Sequence, residues 1–336
     1  MRLILLTLLL CALTIPSLVR AQLSATPDPL QFTIANETPG PNQLVYIEAA
    51  GVGTFLGNAT ITWSRDGQVV DSGVGHNTYA FTTGGVGSAA HVHVHITSTT
   101  NGTMDRDFYF APSVVNLVWE ANTTAPLFYL GKTLYSAGSR VTVAAFPTVA
   151  SGRSLVAADK LSYQWSLNDT PAQGQSGLGR SVFSFDGEGL HTSEKVSVDL
   201  FLQGSKVATG EVVVPASQAQ VLLYDRDPLR GEFLDQALPS SFNLGVQELA
   251  VQAEPYFFAK NAPLAFSWTL NGNAASGPDA ARGLLTVRQT AQGSGSALLG
   301  VSIQNQNPDM FAQVASQTLE MAFGQSGVSL RNLFGI

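Results

Sequence analysis

The sequence predicts an all-β protein, built as three tandem immunoglobulin-like β-sandwiches behind an N-terminal signal peptide. Three observations carry that expectation. A tryptophan followed by a tight turn is written three times, as ITWSRDG from Ile61, YQWSLND from Tyr163 and FSWTLNG from Phe266, so that Trp63, Trp165 and Trp268 stand 102 and 103 residues apart. Short runs of period two, such as HVHVHI, KVSVDLFL and LGVSI, recur close to Gly, Ser, Asn or Asp, and no long segment has the 3, 4, 7 apolar spacing of an amphipathic helix. Of 336 residues, 45% are hydrophobic and 12% charged, with 32 glycines and 16 prolines, which describes a folded, turn-rich chain rather than a disordered one.

The chain opens MRLILLTLLLCALTIPSLVRAQ: one charge at Arg2, an apolar stretch from Leu3 to Ile15, a break at Pro16, and Val19-Arg20-Ala21 ahead of the expected cleavage. That reads residues 1–21 as a signal peptide and the protein as exported, to the cell envelope or beyond it. The leader kept as an anchor is the alternative. Nothing later reaches the roughly 18 to 20 apolar residues of a membrane span, so no transmembrane segment is expected in the mature chain. Cys11 is the single cysteine and lies in the leader, which excludes disulfides, thiolate metal sites and cysteine nucleophiles from the mature protein. Two of the 17 basic residues, Arg2 and Arg20, also belong to the leader, leaving 15 against 24 acidic ones. Nucleic acid and anionic lipid are poor partners for that surface.

Each repeat supplies the same elements in order. The first domain (22–113) has QLVYIEAAG from Gln43, then Trp63, then Val92, Val94 and Ile96 as inward residues, then DFYFAP. The second (114–218) has SRVTVAAFP from Ser139, Trp165, inward Val196, Val198 and Leu200, and GEVVVPA. The third (219–325) has QELAVQAEP from Gln247, Trp268, inward Leu299, Val301 and Ile303, and QTLEMAF, with residues 326–336 left as a tail. Repeats of this size made of short strands read as tandem sandwiches. Each indole is expected to fill the space between two sheets, where its burial contributes on the order of several kcal/mol. The Asp-Gly, Asn-Asp or Asn-Gly that follows accepts positive φ and reverses the chain.

The joints are apolar, unlike flexible linkers. NLVWEANTTAPLFYLGKTL from Asn116 and QVLLYDRDPLRGEFLDQAL from Gln220 share an apolar pair, an aromatic (Trp119 or Tyr224), an acidic residue and a proline. One strand should run into the next, with Trp119, Tyr129, Tyr224 and Tyr256 buried at domain boundaries. A stiff rod on the order of 100 Å long follows if strands of about eight to ten residues rise about 3.3 Å per residue. Turned outward, the same aromatics would be stacking platforms for a sugar.

The cassettes PGPNQLV (39–45), ITWSRDG, NLVWEAN with APLFYLGK (116–132), AEPYFFAK (253–260) and FSWTLNG carry a resemblance. In that order they resemble a group of exported proteins of ultra-small candidate-phylum bacteria, the Patescibacteria. The single domains are similar to PKD-type (PKD-like) immunoglobulin-like modules of bacterial surface proteins. The resemblance implies tandem β-sandwiches at the envelope or outside the cell, and it implies no reaction and no site residues.

His91, His93 and His95 alternate with valines, which puts three imidazoles on one face, successive Cα atoms about 6.7 Å apart. In the simpler reading this is a solvated face and no metal is held. In the other, two of them close on zinc or copper, or the three form a pH-sensitive stripe. The missing third and fourth ligands weigh against a metal, since His76 and His191 have no evident reason to converge there. Asp225 with Asp227, and the DRD at 105–107, fall short of the six to eight oxygens of calcium and read as structural.

Hydrolase, metalloprotease, P-loop and dinucleotide motifs are absent, and Ser176 in GQSGLG has turn composition only. No catalytic residue and no cofactor are expected. The five N-x-[ST] sequons, at Asn36, Asn58, Asn101, Asn122 and Asn168, read as chance products of an Asn- and Thr-rich β surface. These features predict a secreted or surface scaffold, structural or adhesive, with other envelope or surface proteins as partners. Glycan binding, with polysaccharide as partner, is the alternative. The tail, with Leu333, Phe334 and Ile336, is expected to fold back onto the third domain; if it instead adds a strand to a neighbour, the protein is a self-associating polymer subunit.

Overall fold

The computed structural model describes residues 30–51, 56–99, 102–152, 154–189, 191–227, 229, 231–232, 236–244, 248–260, 262–290, 294–308 and 312–323. The signal peptide (1–21) and the tail (326–336) expected from sequence lie outside them. The protein is a tandem of three β-sandwiches. No helix among the described residues is long and apolar enough to cross a membrane.

The first sandwich contains β1 (Leu30–Ala35), β2 (Leu44–Gly51), β3 (Thr60–Arg65), β4 (Gln68–Val74), β5 (Thr78–Thr82), β6 (Ala90–Ser98) and β7 (Gly102–Phe110). Its sheets are β1-β2-β5 and β4-β3-β6-β7. The fourth strand pairs with the third, whereas in a constant-type immunoglobulin domain it joins the first sheet.

The second sandwich contains β8 (Val114–Ala121), β9 (Tyr135–Ser136), β10 (Arg140–Thr148), the short pair β11 (Ala150–Ser151) and β12 (Ser154–Leu155), then β13 (Ser162–Leu167), β14 (Thr170–Pro171), β15 (Gly177–Leu178), β16 (Val182–Asp186), β17 (Ser193–Leu202) and β18 (Ser205–Ser217). The third contains β19 (Gln220–Asp227), β20 (Gly231–Glu232), β21 (Ser241–Leu244), β22 (Glu248–Tyr256), β23 (Leu264–Leu270), β24 (Asn273–Ala275), β25 (Leu284–Arg288), β26 (Gly295–Asn305) and β27 (Val314–Phe323). Both repeat the same plan: β16-β10-β8 faces β14-β13-β17-β18-β9, and β20-β19-β22-β25 faces β21-β27-β26-β23-β24. In each, a short strand crosses to the second sheet and lies parallel to the last one, β9 beside β18 and β21 beside β27.

Strand alternation decides what is buried. Along β6, Ala90, Val92, Val94 and Ile96 point inward and the three histidines outward. Each sandwich has its own apolar core. Trp63 and Trp165 are fully buried and Trp268 nearly so. Every indole also needs an acceptor for its N–H. Each finds a backbone carbonyl just ahead of β5, β16 or β25: His76 O at 2.8 Å, Arg180 O at 2.8 Å and Ala280 O at 3.0 Å.

The turn after each tryptophan does more than reverse the chain. Asp66, Asn168 and Asn271 take φ of 50°, 49° and 50°, followed by Gly67, Asp169 and Gly272, also at positive φ, the backbone of a two-residue hairpin. Their side-chain oxygens accept the N–H of His91, Lys195 and Leu298, each at 2.9 Å, and their own N–H groups donate to the carbonyls of the same three residues at 2.8 Å. One short polar side chain therefore clamps the turn to β6, β17 or β26. Replacing Asn271 by alanine removes a hydrogen bond of about 1 kcal/mol and adds a left-handed penalty of about 1–2 kcal/mol. Asn271→Gly should recover the second part only, a difference readable in urea midpoints.

Candidate functional site

Among the described residues, two of the places where polar side chains gather lie outside the sandwich cores. The first is the joint between the second and third sandwiches. Only Gln218 and Ala219 separate β18 from β19. The segment after β8 then runs along the corner after β22 as a short antiparallel pairing across the domain boundary, with Thr123 opposite Ala259. Thr124 N–H donates to Phe258 O at 2.6 Å, Phe257 N–H to Thr124 O at 2.7 Å and Lys260 N–H to Asn122 O at 3.0 Å. The Thr124 hydroxyl donates to Pro255 O at 3.3 Å and accepts Phe258 N–H at 3.1 Å.

Behind this pairing lies Gln313, buried and using its whole amide. Nε2 donates to Ser136 Oγ (2.9 Å) and Ala137 O (2.8 Å), and Oε1 accepts Ala259 N–H (2.9 Å) and Asn305 Nδ2 (3.2 Å). Ser136 Oγ in turn donates to Phe257 O. Phe257 sits at φ 62°, a left-handed conformation costly for a bulky residue. The strain lets its N–H and its carbonyl both face the second sandwich while the ring enters an aromatic cluster.

That cluster is Tyr224, Tyr256 and Phe257, with Phe128 and Tyr129 of the second sandwich packed against it. The two phenol oxygens of Tyr224 and Tyr256 share a hydrogen bond of 2.7 Å. Tyr129 meets Tyr256 and Phe257 edge-on at 5.7 and 5.8 Å. Burial pushes the Tyr256 phenol upward, and the Tyr224 hydroxyl adds to the shift. Trp119 is placed differently, which corrects the expectation that it packs at a domain boundary. It lies with Val115 and Leu117 against its own domain's core, beneath Lys132, whose Nζ stands 3.2 Å from the ring centroid. The two joint sequences are offset by one residue relative to strand parity. Val221 and Leu223 point inward on β19, so Tyr224 points out into the joint, whereas on β8 the aromatic itself points inward.

Beside Tyr256, Glu254 is held above the usual carboxylate range, by burial first and by the nearby Glu232 second. Its raised folded-state value means the folded protein keeps this proton after the unfolded chain has released it. Stability therefore falls as pH rises from the unfolded value, near 4.5, through the folded one. Glu254→Gln should be more stable than the parent at pH 7 and lose that advantage at pH 4, as read from urea midpoints. The first joint is the three-residue passage 111–113 between β7 and β8, where Ser113 N–H donates to Pro39 O at 3.2 Å.

The second place is the outer face of β6 and β7. The register sets His95 opposite Asp105 and His93 opposite Asp107, with Thr62 and Ser64 of β3 flanking the two histidines on the other side. Asp105 Oδ1 lies 2.7 Å from His95 Nδ1 and 3.1 Å from His93 Nε2. Asp107 Oδ1 lies 2.9 Å from His93 Nδ1 and 2.6 Å from His91 Nε2. The hydrogen bond from His95 holds the Asp105 carboxyl below its ordinary range, with the charge of both histidines adding to it. Hydrogen bonds from His93 and then His91 do the same for Asp107. His91 also stacks flat on Tyr109, ring centroids 4.6 Å apart. His76 pairs instead with Asp71, and His191 with Glu194.

Reading the sequence set DRD aside as a weak calcium motif and missed its partnership with the histidines. The Asn-Gly at 101 and 102 signals a hairpin but misleads on its register: as the two central turn residues they would set 105 opposite 98, whereas Ser98 pairs with Gly102 and brings 105 to 95 and 107 to 93.

No protein-family model matches the chain, and no curated protein does. Among solved structures, the chain is similar to the three N-terminal domains of the bacteriophage RB49 highly immunogenic outer capsid protein (Hoc), at 15% identity over 89% of this chain and 98% of that one, TM-score 0.27. It is also similar to the central fibronectin-III array of RIM-binding protein, at 10% identity over 88% and 96%, TM-score 0.29. A third is SGBP-B of the Bacteroides ovatus mixed-linkage glucan utilization locus, determined with a heptasaccharide, at 12% identity over 84% and 64%, TM-score 0.20. At such identities the likeness is one of tandem β-sandwich plan alone.

Proposed function

We propose that the protein is a non-enzymatic scaffold of the bacterial envelope or its exterior, which holds sandwich domains at set positions so that their faces meet other surface proteins. The observation that carries this reading is the joint around Thr124, Ser136 and Gln313. Domains that act only as separate binding units need a polar tether, and this chain spends buried hydrogen bonds and a strained Phe257 on orientation instead. The leader-like residues 1–21 and the resemblance to exported Patescibacterial proteins support a place outside the cytoplasm. Tyr224 and Tyr256 are buried in the joint, so neither is a stacking platform for a sugar while the joint is closed.

The test is binding of residues 22–336 to isolated cell envelopes. Saturable binding that is lost when the envelopes are treated with protease, kept by Trp119→Ala and weakened by Gln313→Ala supports the scaffold. Binding to purified polysaccharide that disappears with Trp119→Ala would replace it with a glycan-binding role. Concentration-dependent oligomers that vanish on removal of residues 326–336 would replace it with a polymer subunit.

A further inference from the structure

We propose that His93, His95 and Asp105 form a zinc site on the outer face of the first sandwich. One ligand atom from each lies within 4.8 Å of the others. Zinc bonds of about 2.0–2.2 Å to nitrogen and oxygen place tetrahedral ligand atoms about 3.3 Å apart, close to the His93–Asp105 separation of 3.1 Å and reachable by small rotations at His95.

Donor counting is the second argument. His93 has an acceptor-only carboxylate oxygen at each ring nitrogen, Asp107 at Nδ1 and Asp105 at Nε2. A neutral imidazole carries one N–H. With that proton on Nδ1 toward Asp107, the Nε2 lone pair faces the lone pairs of Asp105 Oδ1, an opposition that either a second ring proton or a bound metal ion relieves. A second ring proton joins His93 to Asp105 only, whereas a metal ion bound there would join His93 Nε2, His95 Nδ1 and Asp105 at one centre.

The outer nitrogens fit the same arrangement. Metal-bound imidazoles are oriented by a hydrogen bond from the nitrogen that does not bind the ion. With the ion bound, the ring protons would sit on the outer nitrogens: His93 Nδ1 lies 2.9 Å from Asp107 Oδ1 and His95 Nε2 lies 3.1 Å from Thr97 Oγ1, so each has an acceptor in reach. His91, engaged with Asp107 and stacked on Tyr109, stays outside the ligand set. The three ligand side chains are 35%, 43% and 51% exposed, which leaves the fourth position to water. Two imidazoles and one carboxylate suit zinc or copper(II) rather than the oxygen cages of calcium and magnesium.

The experiment uses residues 22–336, stripped with EDTA and titrated with zinc chloride against a chromophoric chelator. One zinc should bind per chain, and copper(II) should displace it, as the ordering of divalent affinities requires. Asp107→Asn should weaken binding about tenfold through orientation, and Asp105→Asn and His95→Ala by about 100-fold or more. His191→Ala, in the second sandwich, should leave it unchanged. Ring nitrogen-15 spectra should show zinc moving His93 Nε2 and His95 Nδ1, with His91 unmoved. Amide spectra of the variants in EDTA verify that each remains folded. Zinc held at parental affinity by the Asp105→Asn/His95→Ala double variant, or no zinc retained against the chelator, would overturn the site.

Discussion

Trp165→Ala should destabilise the second sandwich by about 3–5 kcal/mol, the cost of deleting a large buried aromatic and leaving a cavity. The ring is fully buried and sits in a stack, Tyr163 at 6.4 Å and Phe183 at 5.5 Å, with Phe185 next to Phe183 at 6.0 Å. Truncation removes the middle of that stack and leaves Arg180 O without its indole donor. A domain of this size is typically stable by about 5–15 kcal/mol, so the loss is a large fraction of the whole. Because the third sandwich is hydrogen-bonded to the second, its unfolding should also move to lower urea. Trp63→Ala, in the first sandwich, should leave the unfolding of the third sandwich in place. Amide exchange followed residue by residue reads all three domains at once.

Gln313→Ala is the second large effect. Four hydrogen bonds disappear together, and Ser136, Ala137 O, Ala259 N–H and Asn305 lose a partner in a buried site. Each buried polar group left unpaired costs about 1–3 kcal/mol, so a total of about 3 kcal/mol or more is expected even if water enters and satisfies some of them. The loss belongs to the joint rather than to either core. The second and third sandwiches should therefore unfold together in the parent chain and separately in the variant. Gln313→Glu should be at least as damaging, because it sets an oxygen where Nε2 donates to Ser136 and Ala137.

Architecture was readable because sandwiches follow a period of two and a tryptophan is large enough to mark their centre. The inward trios at 92–96, 196–200 and 299–303 needed no more than alternation to identify. Parity was harder, as Trp119 and Tyr224 show: composition aligns the two joints, yet a one-residue offset turns one aromatic into its own core and the other toward a neighbour. The joint left no local signal. Thr124 and Ser136 lie far along the chain from Phe257 and Gln313, and single residues in loops look alike until the fold brings them together. Asp66, Asn168 and Asn271 were recognised as turn formers, but their second task, holding β6, β17 and β26, depends on a strand about 25 residues further on.

The central claim is that the second and third sandwiches keep one mutual orientation. The sequence from Gln22 onward contains no cysteine, so two can be introduced for spin labels without interference. Exposed Phe146 and Leu298, on β10 and β26, are suitable positions. Pulsed electron–electron resonance on Phe146→Cys/Leu298→Cys should give a single narrow distance distribution that broadens when Gln313→Ala is added. A broad distribution in the parent chain, unchanged by Gln313→Ala, would contradict the claim.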